Sequence, residues 1–356
     1  MGTKITGNIF YQKIYKFFLG DSRFSRLLVL LIAILLFALC THPGFFSKAS
    51  ILSITKQCPE YGIMAVGLAL TMIVGGIDLS IVGVANLSSM LAVLAMRSIA
   101  PTGADNVTVT TAIITGIFVA LAVGFVAGIL NGILCSKIGI PPILATLGVQ
   151  QICYGLAIVI SGGEAVKGVP PVFSEIGTKV WYRLVATQFF VFVIVAILIG
   201  ILLSKTNIGV KMLLFGTNNK AFKFVGYKSG KTIILAHLLS SILAAIAGLI
   251  MLARNSSTKA SYGEAYIMQC ILVAVLGGIN PMGGKGNIKG VFLATLTLQT
   301  ISSLFNRFQG INTFYRQVIW GVTLILVMVT NEIMDEKKRT KSNKKSNTDA
   351  TADHLA

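Results

Sequence analysis

The chain has 356 residues, 54% of them hydrophobic and only 12% charged, with a mean hydropathy of +0.82. Soluble domains carry about 25% charged residues, so this composition excludes an ordinary soluble domain and points to the polytopic membrane class. The net charge of +18 sits mostly in loops and tails on one side, which membrane orientation explains better than nucleic acid does.

Residues 1–26 form a basic tail with Lys4, Lys13, Lys16, Arg23 and Arg26. No small-x-small cleavage site follows, so the first apolar run is expected to be a retained helix. A membrane helix needs about 20 mostly apolar residues. Spans are expected at 27–41, 61–76, 80–97, 110–135, 143–161, 187–204, 232–253, 266–280, 290–305 and 315–332. The spans at 61–76 and 266–280 are short, which suggests extension by their flanks or a break inside the membrane. The C-terminal stretch 333–356 is rich in Lys, Asn, Ser and Thr and reads as a disordered basic tail.

With the N-terminus inside and strict alternation, twenty of the 30 Lys and Arg fall on the inner side. The outer side holds the other ten and five acids, Glu60, Asp105, Glu164, Glu175 and Glu264. Cytoplasmic loops keep Lys and Arg, so both termini are expected inside. The inner loop 205–231 is the most informative. It carries Lys205, Lys211, Lys220, Lys223, Lys228 and Lys231 and no acid. Asn218–Asn219 can open a short helix there, since Asn is a good N-cap, and Gly226 can close it. Ala221, Phe222, Phe224 and Val225 supply an apolar surface. The loop is either a solvated topology signal or a docking helix for a soluble partner.

Three motifs interrupt the spans. Gly75-Gly76-Ile77-Asp78-Leu79-Ser80 ends one apolar run and opens the next. Asp78 can cap a helix beginning at Leu79. At the surface it is an ordinary cap; at membrane depth it marks a broken helix facing a cavity. Gly277-Gly278-Ile279-Asn280, continuing to Gly283-Gly284-Lys285-Gly286, echoes it. The echo is either a duplication remnant or one turn solution used twice. The Gly-Gly-Lys-Gly piece lacks phosphate-loop spacing. Leu130-Asn131-Gly132 precedes Ile140-Pro141-Pro142-Ile143-Leu144-Ala145-Thr146-Leu147-Gly148, whose prolines suit a helix start. Within the spans, Asn86, Gln150, Gln151, Gln188, Gln269 and Gln299 are amides that either glue helices together or line a path for a hydroxylated solute.

No H-E-x-x-H, no G-x-S-x-G and no framed carboxylate pair is present, so no catalytic residue, cofactor or enzymatic activity is expected. The five cysteines show no metal spacing and read as small core residues; no metal site is expected. His237, inside an apolar helix, reads as packed rather than catalytic.

In their order and spacing these motifs resemble the permease subunits of bacterial ATP-binding-cassette importers for monosaccharides, the ribose-permease family, and also autoinducer-2 import permeases. The likeness runs from about Pro43 to Asn331. It is carried by 75–80, 130–132 and 140–148, by Gly209, by Gly216-Thr217-Asn218 with Ala221, Lys223 and Gly226, and by Val275-Leu276-Gly277-Gly278 with 283–286. The resemblance implies an all-α membrane subunit of about ten helices, in the type II-like importer class. It would work as a pair, with a second copy or a paralogue, in a bacterial cytoplasmic membrane. It would dock an ATPase on its cytoplasmic side and receive a sugar from an extracytoplasmic binding protein. Loop 205–231 matches the family's coupling segment. Asp78, Ser80, Asn86, Asn131, Gln150, Gln151, Gln269 and Gln299 become candidates for the pathway.

The chain departs from the family in three places. Asn219 and Lys220 stand where acids usually follow Gly-x-Asn. Tyr266-Ile267-Met268-Gln269 replaces Tyr-Glu-Leu-Asp and loses both acids. Gly83 is displaced by one residue from Asp-Leu-Ser-Val-Gly. These differences leave room for half of a heterodimer or a substrate other than ribose. The alternative function is an ion-coupled secondary transporter of a small polar solute, for which only Asp78 offers a buried charge.

Overall fold

The computed structural model describes residues 22–101, 103–182, 184–307, 315 and 318–329. Among the described residues a helix occupies most of each expected span, those at 61–76 and 266–280 ending early at Ile73 and Leu276, and the segments between them add three shorter helices. In chain order these are α1 (Ser22–Thr41), α2 (Lys48–Ile73), α3 (Ile81–Ile99), α4 (Asn106–Ile133) and α5 (Pro142–Ser161). Then follow α6 (Pro171–Thr178), α7 (Thr187–Lys205), α8 (Asn207–Thr217), α9 (Asn219–Phe224), α10 (Ser229–Asn255), α11 (Tyr266–Leu276) and α12 (Ile288–Phe305). A last apolar helix, α13 (Val318–Val329), belongs to a second compact unit. Most of the two tails lies outside the described residues, although α1 already begins at Ser22.

Among the described residues, seven helices are long and apolar enough to cross a membrane: α1, α3, α4 with its following turn, α5, α7, α10 and α12. The protein is an all-α polytopic membrane protein. The expected span at 61–76 is the C-terminal half of the longer α2, which ends at Ile73. Lys56, Gln57 and Glu60 lower its apolarity, yet every residue from Cys58 to Ile73 is buried. From Cys58 onward this helix is surrounded by protein, whereas Lys56 and Gln57 are half-buried and Lys48 is exposed.

Around α2 pack α10, α12, α11 and α7, with α3 touching it less extensively. The contact of α4 with α10 follows directly from sequence. The buried residues of α4 are small and recur every turn: Ala112, Gly116, Ala120, Gly124, Gly128 and Gly132. A Cβ on Gly128 would stand 2.6 Å from Leu238 Cα, and one on Gly132 2.6 Å from Ile234 Cα. Only glycine lets the two backbones approach so closely. The approach brings Cys135, just past α4, to 3.7 Å from His237 of α10.

At the opposite end from the lysine-rich loop, two tiny antiparallel ladders fasten the connections. Val166–Lys167 pairs with Ser257–Thr258, and Val180–Trp181 with Val185–Ala186.

Candidate functional site

The two echoed glycine motifs end α2 and α11 in the same way. Gly75 has φ +79 and donates to Met72 O, while Gly76 N–H reaches back to Thr71 O. Gly278 has φ +88 and donates to Val275 O, while Ile279 N–H reaches Ala274 O. Both are Schellman endings, which need a left-handed residue just past the helix. The left-handed glycine is the first of the pair in one motif and the second in the other. The partner glycine serves packing: a Cβ on Gly277 would stand 2.6 Å from Val291 N of α12.

After the first break the chain turns inward and Asp78 is fully buried. The reading of Asp78 as an ordinary surface cap is therefore corrected. Helix α3 begins at Ile81, two residues later than expected, with Ser80 as its N-cap residue. Asp78 Oδ1 accepts from Ser80 N (3.0 Å) and Ser80 Oγ (2.6 Å), and Oδ2 accepts from Ser240 Oγ (2.8 Å). Asn131 Nδ2 donates to Ser80 Oγ at 2.8 Å. Helix starts leave several N–H groups without intrahelical partners, and in a membrane interior protein must supply them. Here three side chains do so. Asp78 takes Ser80 N–H, Thr146 Oγ1 takes Leu79 N–H at 3.1 Å, and Gln150 Oε1 takes Gly83 N–H at 2.7 Å. The cluster thus joins α3, α4, α5 and α10 around one carboxylate. Ser240 was not singled out from sequence, and Thr146 entered only as part of the 140–148 motif. The adjacent hydroxyls Ser240-Ser241 in an apolar helix were the available signal.

The same break meets the lysine-rich loop. Gly284 N–H donates to Ile73 O at 2.9 Å, and Thr217 Oγ1 donates to Gly284 O at 3.3 Å. A Cβ on Gly283 would stand 3.0 Å from Gly216 O and 3.1 Å from Gly75 N. A Cβ on Gly216 would collide with Ile73 O and Gly284 N. Both helix breaks and the end of α8 therefore touch at one backbone junction.

Beyond the junction, Asn218 caps α9 by accepting Ala221 N–H at 3.0 Å. Gly226, at φ +83, follows its end. The two aromatic residues of α9 part company. Phe222 is buried, edge-on to Phe215 at 5.4 Å and tilted against Tyr227 at 5.1 Å. Phe224 is 92% exposed, with Lys220, Ala221 and Lys223 exposed around it. A cavity of about 360 Å³ opens between the first break, Pro141, Pro142, Gly216 and His237.

The remaining amides serve different ends. Asn86 donates to Ala260 O (2.7 Å) and Tyr262 O (2.8 Å), and Gln299 Oε1 accepts from Tyr61 Oη at 3.1 Å. These two, with Gln150, bind protein to protein. Gln188 is buried with neither amide atom partnered. Gln269 is half-buried and Gln151 is exposed. At the far end, Glu60 of α2 is buried and ion-paired to Arg254 of α10 at 2.9 Å. Tyr266, which opens α11, donates to the other carboxylate oxygen at 2.6 Å. Sequence reading counted Glu60 and Arg254 as outer-side charges and missed their pairing, because they lie far apart in the chain.

The model of the family described as "Branched-chain amino acid transport system / permease component" matches residues 50–328. The chain belongs to this permease family. Three relatives give the scale of likeness. The ribose import permease protein RbsC of Bacillus subtilis is 29% identical over 88% of this chain and 90% of its own length. RbsC of Escherichia coli K12 is 27% identical over 88% and 94%. The L-arabinose transport system permease protein AraH of the same strain is 29% identical over 88% and 92%. No solved structure matches. The matched stretch of this permease contains both glycine breaks, the Asp78 cluster and the whole lysine-rich loop.

Proposed function

We propose that the chain is the membrane-spanning subunit of an ATP-binding-cassette importer, carrying a monosaccharide of the ribose or arabinose type. The sugar class rests on the relatives, whose names are those of ribose and arabinose permeases. ATP hydrolysis belongs to a separate partner chain, and an extracytoplasmic binding protein delivers the sugar. The chain is a multi-pass protein of the bacterial cytoplasmic membrane.

The observation that carries this reading is the backbone junction of Gly75, Gly216 and Gly283–Gly284. A push on α9 reaches both breaks without passing through a flexible side chain. In this reading the lysine-rich end is cytoplasmic and both termini lie there, residues 1–26 and 333–356 being tails on the permease domain 27–332. Helix α9, with Phe224 outward, is the coupling helix.

A second permease copy completes the pathway. Helix α5 exposes Leu144, Leu147, Gly148, Gln151 and Val159 along one face. An amide facing lipid is unfavourable, whereas a helix partner satisfies it. A Cβ on Gly148 or Gly155 would meet nothing, so another backbone can come close. The Asp78–Ser80–Asn131 cluster lies one helix behind this face, through Thr146 and Gln150. The ion-coupled alternative finds no support: both carboxylate oxygens of Asp78 are engaged by the chain's own donors.

The test is reconstitution with the cognate ATPase and binding protein. Uptake of ribose or arabinose is expected to require ATP and the binding protein. Uptake driven by an ion gradient without ATP would overturn the reading. A cysteine placed at Gly148 is expected to cross-link two copies; cross-linking only from distant lipid-facing positions would refute the α5 interface.

A further inference from the structure

We propose that the cleft between α4 and α5 binds an anionic phospholipid, with an acyl chain in the cleft and the phosphate on Lys137, a role that goes beyond the transport reading. The two helices are consecutive in the chain but touch little: α4 packs on α10 and α3, and α5 on α3. Between them lies a groove of about 430 Å³, floored by Leu87 of α3 and walled by Phe118, Ala122 and Leu130 of α4 and by Ile152 and Leu156 of α5. Every side chain lining it is apolar or, at Cys153, a thiol. Phe118, Leu130, Ile152 and Leu156 are exposed, on two helices long and apolar enough to cross a membrane. The groove therefore opens toward lipid.

Charge selects the occupant. Lys137 is the one charged residue between Asp105 and Glu164. It stands in the π turn Leu134–Ile138 just past α4, seven residues beyond Leu130. It is exposed, whereas Cys135 of the same turn meets His237 inside. A lysine there lays its stem along apolar surface and keeps its ammonium among the headgroups. Basic sites between membrane helices hold anionic lipid heads in this way. Length agrees. From Phe118 to Leu130 the groove runs about 18 Å along α4, close to the roughly 15 Å half-thickness of the hydrocarbon core that one leaflet's chains fill. A second copy of this chain fits less well. The face of α5 that carries Gly148 and Gln151 points roughly 120° away from the groove. The groove's α5 wall presents the large Ile152 and Leu156, where close helix packing wants small residues. A lipid seated in the groove braces α5, whose Thr146 and Gln150 hold N–H groups at the start of α3.

The test uses the full-length protein in phosphatidylcholine nanodiscs doped with a phosphatidylglycerol that carries a diazirine in its acyl chain. Light cross-links the lipid, and peptide mass spectrometry maps the label. Labelling is expected to concentrate on residues 118–130 and 149–156 and to exceed that on α1 at least about fivefold. Lys137→Gln is expected to lower groove labelling about fivefold. Ala122→Phe fills the groove from an exposed position and is expected to abolish the labelling while the melting temperature is kept. The same diazirine on phosphatidylcholine is expected to label the groove no more than α1, and inorganic phosphate is expected not to compete. Labelling spread evenly over the lipid-facing helices, or unchanged in both variants, overturns the proposal. Equal groove labelling by the two lipids overturns it as well, and competition by phosphate would make Lys137 a free-anion site instead. Ala122→Cys, in a background without native cysteines, is expected not to form a disulfide between two copies; a linked pair would seat a second copy in the groove and overturn the lipid. No readout here involves uptake, so failure of this site and failure of the transport reading are distinguishable.

Discussion

Gly216, at the end of α8, lies so closely against the backbone of Gly284 that it has no room for a side chain, and a side chain on Gly284 would run into the backbone of Thr217. The contact is between main chains, so no rotamer change can relieve a clash. Gly216→Ala is therefore expected to cost about 1–3 kcal/mol or more and to abolish uptake. Thermal melting of the purified protein and ATP-driven uptake are the measurements. Gly44→Ala, where a Cβ meets nothing, is the control and is expected to be silent in both. A Gly216→Ala protein that melts and transports normally would remove the junction from the mechanism.

The aromatic residues of α9 give opposite expectations. Phe224→Ala removes an exposed anchor and is expected to leave stability unchanged. An anchor worth about 2 kcal/mol would weaken association with the ATPase roughly thirtyfold. Phe222→Ala opens a hole between Phe215 and Tyr227 and is expected to destabilise the permease itself, by about 3–5 kcal/mol in a well-packed site. Lys220→Ala, on a solvated surface, is expected to be mild. Co-purification of the ATPase, paired with melting of the isolated permease, separates the two effects. If Phe224→Ala holds the partner as wild type does, α9 does not dock through this residue.

At Asp78, Asn and Leu substitutions distinguish hydrogen bonding from shape. Asp78→Asn keeps one oxygen for Ser80 N–H, and its amide can donate to Ser240 Oγ. Asp78→Leu strands the Ser80 N–H and leaves the Ser240 hydroxyl to find another acceptor. An unsatisfied buried group costs about 1–3 kcal/mol, so Leu is expected to lose expression and uptake while Asn retains folding. Equal uptake by both, at equal membrane levels, would show that the carboxylate cluster is not required.

Orientation is checked by labelling. In a background without native cysteines, a thiol at Lys220 is expected to be shielded from impermeant reagents in intact cells. One at Glu175, in α6, is expected to react. The reverse pattern would invert the membrane topology and place α9 out of reach of any ATPase.

The helices were legible because apolar runs and their glycine, proline and asparagine punctuation act locally. Asn218 and Gly226 bound α9 as their chemistry dictates. What the sequence could not convey is who lies opposite whom. Phe222 and Phe224 look alike in one dimension; only the fold turns one inward against Phe215. The depth of Asp78 depends on Ser240, far along the chain, and the Glu60–Arg254 pair depends on two helices meeting at their ends. The amides of Gln150 and Gln151 are neighbours, yet one holds Gly83 N–H and the other is exposed, because adjacent residues on a helix point about 100° apart.

The brevity of α11 bears on how the protein is made. With 11 residues it is only about 16 Å long, about half the thickness of a bilayer's hydrocarbon core. Irregular backbone at such depth is tolerated only against other protein, and the segment after α11 rests on Ile73 and Thr217. Both of those contacts leave the ribosome earlier than Gly284 does. This loop therefore finds backbone to rest on as soon as it is made, whereas the α12 backbone that packs on Gly277 follows it.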